Sequence, residues 1–235
     1  VCTATVSAVA VFTRSLVAIT SAIGLPTDVP WSWAYVGAVS SSAAAPTPTP
    51  SASPLCAFKA LDVVFVVDSS GSTGAETYAR SLAVAAEVVQ GLPVAADSIR
   101  VAGVRIKSRP TTLFNFSSDA QSITDMLTSQ TFSGNSGSAT GASLDHIRSE
   151  LMRPGTGYRG VAENVLVVII SDGRTSEPEL TMEQAAQDLR ATGARVVSFA
   201  FADSSDAGVF ALTGTTANIF ALSDVESSAA AFSLG

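Results

Sequence analysis

Three short segments of this 235-residue chain carry side chains able to hold a hard cation: Asp68-Ser69-Ser70-Gly71-Ser72, Thr140-Gly141 and Ser171-Asp172-Gly173. The first places one carboxylate and two hydroxyls at alternate positions, directly after the apolar run Val63–Val67. A buried strand ending this way presents three oxygen donors on one tight turn. Such oxygens are the ligands that divalent ions of the magnesium class prefer. Thr140 adds a neutral oxygen and Asp172 a second carboxylate. The donor set accepts magnesium, manganese or calcium. Each segment also has a plainer reading. Ser70 and Ser72 can cap the helix that follows, Thr140 can cap a helix beginning at Gly141, and Asp172-Gly173 can be an ordinary turn.

Other chemistries find less material. A phosphatase of the haloacid dehalogenase type needs a second aspartate two residues after the first, and Ser70 stands there. The chain has no Gly-x4-Gly-Lys phosphate loop and no Gly-x-Ser-x-Gly elbow. Its one histidine, His146, falls inside a helical pattern, where a surface or core role is commoner than that of a general base. An enzyme acting on a small-molecule substrate is therefore not expected. With 13 Lys and Arg against 20 Asp and Glu, a formal charge of −7, and no basic cluster, nucleic acid is not an expected partner.

The elements that must position these donors follow from periodicity. Leu61–Val67 reads as a buried strand and 76–90 as a helix with Tyr78, Leu82, Ala85 and Val89 on one face. Residues 99–106 and 111–116 read as strands joined by only Lys107-Ser108-Arg109-Pro110, which forces an antiparallel pair. Helices are expected over 119–130, 141–152, 181–191 (with Thr181 as its cap), 207–212 and 225–232. The uninterrupted apolar run 165–170 reads as a central strand covered on both faces. Strands over 196–201 and 218–222 complete a six-stranded set. This alternation predicts an α/β fold: a doubly wound, mostly parallel sheet with one antiparallel edge strand and helices on both faces. Ligands of such sheets bind beyond the carboxyl ends of the strands, where the strand order reverses. Asp68 and Asp172 each close a strand, so neighbouring strands at that point would turn both carboxylates into one crevice.

These three segments, in this order and on this α/β pattern, resemble the metal-ion-dependent adhesion site of a von Willebrand factor type A domain. The resemblance covers roughly residues 60–235, and all five signature positions are present. It implies that Ser70 and Ser72 ligate the ion directly, that Thr140 does so in the ligand-bound arrangement, and that Asp68 and Asp172 act directly or through water. It further implies Mg2+, with Mn2+ or Ca2+ as alternatives, and a matrix or cell-surface protein that presents Asp or Glu to the ion. Loops near 71–76, 134–140 and 173–179 would frame the site. The physical logic is simple: two carboxylates balance most of the ion's charge, hydroxyls add none, and an incoming carboxylate completes charge and coordination. The expected function is divalent-cation-dependent adhesion. The alternative is a structural or assembly module, extracellular or within an intracellular complex, whose partner does not use the metal.

The rest of the chain bears on location. Residues 41–54, SSAAAPTPTPSASP, cannot build a core and read as an extended linker. The expected organisation is an N-terminal segment 1–40, a linker 41–57 and a type A domain 58–235. The segment 1–40 admits three readings: a membrane span interrupted by Arg14, a remnant of a leader, or an ordered fragment on the main domain. Cys2 and Cys56 can pair as a disulfide or stay as two thiols. Asn115-Phe116-Ser117 is a glycosylation sequon. Linker, cysteines and sequon together favour an extracellular protein, secreted or displayed on a cell surface.

Overall fold

The computed structural model describes residues 60–134 and 137–223. The segment 1–40, the linker 41–57 with Cys2 and Cys56, and the closing helix expected at 225–232 lie outside the described residues. Six strands form one sheet: β1 (Leu61–Asp68), β2 (Ile99–Ile106), β3 (Thr111–Ser117), β4 (Val165–Ser171), β5 (Arg195–Ala200) and β6 (Ile219–Ala221). Their spatial order is β3-β2-β1-β4-β5-β6. All pairs are parallel except β2–β3, as the four-residue connection requires.

Both faces of β1 and β4 are buried along their whole length, so alternate residues supply two separate cores. Val63, Phe65 and Val67 pack with α1 (Gly74–Gly91) and α2 (Ala120–Thr128). Val64 and Val66 pack against the other layer, formed by α3 (Thr140–His146), α4 (Glu179–Ala191) and α5 (Asp206–Thr213). That two-sided burial is why the strand runs are continuously apolar rather than alternating.

Helix ends shift by one or two residues from expectation at α1 and α2, and two further helices differ for identifiable reasons. The helix predicted over 141–152 begins at Thr140, ends at His146 and continues as one π-turn, Ile147–Leu151. Beyond that wide turn, the Thr156 hydroxyl donates to the carbonyls of Leu151 and Arg153, at 2.6 and 2.8 Å. It thereby satisfies groups that a longer helix would have engaged. Helix α4 begins at Glu179, so Thr181 lies in its first turn, where its amide donates to the Pro178 carbonyl at 2.8 Å. Pro178 starts the turn because its ring holds φ near the helical value.

At the amino end of the sheet, Arg159 neutralises Asp62. Its guanidinium pairs with the carboxylate and donates to the carbonyls of Leu61 and Ala96, at 3.0 and 2.9 Å. Its amide donates to the second carboxylate oxygen at 3.0 Å.

Candidate metal centre

Strand order reverses between β1 and β4, which run side by side with Val67 opposite Ile170. Asp68 and Asp172 leave the carboxyl ends of these two neighbours, so one crevice receives both. Asp68 is fully buried and closes an Asx turn, its Oδ1 accepting the Ser70 amide at 2.8 Å. Its Oδ2 accepts the Ser171 hydroxyl at 3.1 Å. The Ser70 and Ser72 hydroxyls lie 3.0 Å apart, and Ser72 donates to Asp172 Oδ2 at 3.2 Å. Asp172 Oδ1 accepts the Arg174 amide at 2.9 Å. Asp68, Ser70 and Asp172 are buried whereas Ser72 is exposed, which opens the crevice at that residue.

Thr140 reaches this end of the sheet by another route. It is fully buried, and its hydroxyl lies 3.0 Å from that of Ser138. Backbone bonds hold its turn in place: the Ala139 amide donates to Lys107 beyond β2 at 2.9 Å, and the Ser176 amide donates to Ser138 at 2.8 Å. Hydrogen bonds thus run from the Asp68 carboxylate to the Ser70 amide, and from the Ser70 hydroxyl through Ser72 to Asp172, and tie in Thr140 through its neighbours.

The capping readings of these hydroxyls fail on geometry. Helix α1 has Thr73 at its N-cap and α3 has Ala139, neither with a side-chain cap bond. The α3 amides are capped instead by Glu177, which no sequence motif had singled out. Its Oε2 accepts the Gly141 amide at 2.7 Å, and its two oxygens approach the Ala142 amide at 3.3 and 3.4 Å. No local spacing signals a cap that arrives from 36 positions away.

The electrostatics fit a cation. Burial pushes the Asp68 carboxyl above its ordinary value, and the charge of Asp172 adds to the rise; hydrogen bonds from Ser70 and Ser171 oppose it. No basic side chain is bonded to either carboxylate among the described contacts. Two buried carboxylates facing one another favour a positive ion between them. No group of three or more His, Cys, Asp and Glu placed to hold a metal ion occurs among the described residues.

The remaining singled-out residues lie elsewhere. Asn115 is exposed on the edge strand β3. It borders a polar groove of about 390 Å³ that none of the candidate ligands lines. His146 stands in the same groove with its Nε2 2.7 Å from the Thr112 hydroxyl, so its ring is engaged structurally.

An open α/β sheet with acidic and hydroxyl side chains at its switch point defines the class. The chain matches the von Willebrand factor type A domain family over residues 62–233 and belongs to it. It is 30% identical to the mouse (Mus musculus) collagen alpha-4(VI) chain over 131 residues, which cover 53% of this chain and 6% of that one. Solved structures share the fold, among them two whose names include a metal. Proximal thread matrix protein 1 from the mussel byssus, with a zinc-occupied MIDAS motif, gives a TM-score of 0.63 at 14% identity, over 72% of this chain and 46% of that one. Manganese-loaded TRAP from Plasmodium vivax gives 0.55 at 17% identity, over 66% and 63%. The chain therefore spans less than two thirds of each of these relatives.

Proposed function

We propose that this protein is a divalent-cation-dependent protein-binding module. Asp68, Ser70, Ser72, Thr140 and Asp172 would hold the ion, Mg2+ first, with Mn2+ or Ca2+ as alternatives. When bound, the ion supplies the positive charge that draws an Asp or Glu side chain from a matrix or cell-surface protein. The chain's own part is to orient the oxygens. The Ser70 amide fixes one Asp68 oxygen, Ser171 holds the other, and the Arg174 amide fixes Asp172. The observation that carries this reading is the pair of buried carboxylates meeting with no basic side chain bonded to either among the described contacts. The zinc and manganese in the two structural relatives support it.

We read the module as non-catalytic and extracellular. The matrix associations in the names of the collagen and byssus relatives support that location. The same reading takes Asn115 as a glycan acceptor, Cys2 and Cys56 as a disulfide pair, and 41–57 as a tether to the segment 1–40. Among the described residues no helix is long and apolar enough to cross a membrane.

Calorimetric titration of chelator-stripped protein with Mg2+, alongside Asp68→Ala, tests the site. Uptake near one equivalent that vanishes in the variant is expected. Failure of the wild type to bind would favour a structural or assembly module whose partner ignores the metal.

A further inference from the structure

We propose that Glu177 is the positioning residue of the crevice: its carboxylate clasps the start of α3 so that Thr140 and Asp172 are presented as one preassembled unit. This inference rests on the metal-binding reading above.

The start of a helix exposes amides with no partner inside the helix. In α3 the N-cap residue is Ala139, which has no polar side chain to offer. Glu177 fills that role from the far side of the crevice by accepting from Gly141 and Ala142, the residues directly after Thr140. These bonds are charge-assisted, and the negative charge faces the positive end of the helix. A second strap holds the residue two positions before Thr140. The Ser138 carbonyl accepts from the Ser176 amide at 2.8 Å, the Ser176 hydroxyl at 2.9 Å and the Thr175 hydroxyl at 3.0 Å. Thr175 also accepts the Glu177 amide at 3.1 Å, which stiffens the strap itself.

Thr140 is thus gripped on both sides by 175–177, the stretch that continues from Asp172. Asp172 is anchored in turn by the amides of Arg174 and Ser205, the latter donating to its carbonyl at 2.7 Å. Gly141 belongs to the same device. A Cβ there would lie 2.9 Å from Glu177 Oε2, 3.0 Å from Met182 Cα and 3.1 Å from the Thr181 carbonyl oxygen. A side chain there would push the carboxylate back from the amide and crowd the first turn of α4. The Thr140-Gly141 dipeptide therefore combines a ligand with the clearance that its clasp requires.

A cap that serves only helix stability and a clasp that positions Thr140 differ in one measurable respect. If Glu177 acts through Thr140, removing it has no further effect on metal affinity once the Thr140 hydroxyl is gone. The experiment uses the full chain with Mn2+ or Mg2+ alone as probe. Glu177→Ala, Glu177→Gln, Thr140→Ala and the double variant Thr140→Ala/Glu177→Ala are titrated by calorimetry. Amide exchange at Gly141 and Ala142 is followed in the metal-free protein.

Glu177→Ala is expected to weaken ion binding about tenfold or more, the scale of residues that orient metal ligands. It should also speed exchange of the Gly141 and Ala142 amides. Glu177→Gln keeps one acceptor oxygen and should fall between wild type and Ala. The double variant should bind no more weakly than Thr140→Ala. Binding by Glu177→Ala within twofold of wild type, or penalties that multiply in the double variant, overturns the proposal. If Glu177→Ala does not fold, the Gln variant carries the same comparison against Thr140→Ala. A wild type that takes up neither ion overturns the metal reading and this role with it. A wild type that binds while Glu177→Ala is indifferent overturns the role alone.

Discussion

Asp62 and Asp68 stand near opposite ends of β1, point to the same face by the parity of the strand, and are 1% and 0% exposed. At the amino end, Asp62 has a guanidinium of its own in Arg159, together with the Arg159 amide. At the carboxyl end, Asp68 has hydroxyl and amide donors, and its carboxyl is pushed up by burial and by Asp172. Burying a carboxylate is costly unless it is paired. The fold supplies the counter-charge internally where the role is structural. At the switch point, where Ser72 is exposed, no basic side chain is bonded to Asp68 or Asp172 among the described contacts. The difference between the two ends is that between a finished salt bridge and two buried carboxylates that meet with hydroxyl and amide donors alone among the described contacts.

The sharpest way to break this comparison is at the finished end. Arg159→Met would leave Asp62 buried and unpaired, and breaking such a pair typically costs about 3–5 kcal/mol. Urea denaturation should report a loss of that size. A loss below about 1 kcal/mol would mean that Asp62 is not held by its partner as the contacts imply.

The unfinished end should behave in the opposite sense. In chelator, Asp68→Asn should be at least as stable as wild type, because it removes a buried charge that faces Asp172. In the native state the Asp68 carboxyl titrates above its ordinary value of 3.8. The folded protein therefore keeps a proton that the unfolded chain has already released. Stability should then fall as pH rises from that ordinary value through the raised one, and level off beyond it. Metal-free thermal unfolding across this window should show the slope in wild type and lose it in Asp68→Asn. Adding Mg2+ at a hundredfold over its dissociation constant should stabilise wild type by about 2.7 kcal/mol and leave Asp68→Asn unchanged. A metal-free wild type with no such slope would mean that burial does not raise the Asp68 carboxyl.

The smallest effect serves as a control for pairing in general. Arg148 and Asp145 form an ion pair at 2.8 Å, but their side chains are 46% and 50% exposed. Arg148→Ala should change stability by less than about 0.5 kcal/mol in the same denaturation assay. A larger loss would show that pairing itself, rather than pairing out of water, sets the cost at Asp62.

Much of this architecture is legible in the amino-acid sequence. The apolar runs 63–67 and 165–170 announce strands covered on both faces, and the short 107–110 connection forces β2 and β3 to be antiparallel. The oxygen donors at 68, 70, 72, 140 and 172 can be read as a set because the pattern is spelled out in short segments. Less legible are the ends of helices. The start of α4 follows Pro178, and the chain beyond the π-turn is engaged by the Thr156 hydroxyl; neither is part of the apolar pattern.

Local chemistry along the chain dictates which atoms are available and how each short segment curls: donor spacing, strand parity and turn chemistry hold whatever the rest of the molecule does. Long-range packing alone settles which aspartate receives Arg159 and which does not, that β1 and β4 are neighbours, and that Glu177 reaches α3. The reason is that these pairings join residues tens of positions apart. Such contacts form only once burial of both sheet faces has set the strand order and brought the loops together. No periodicity along the chain records the outcome.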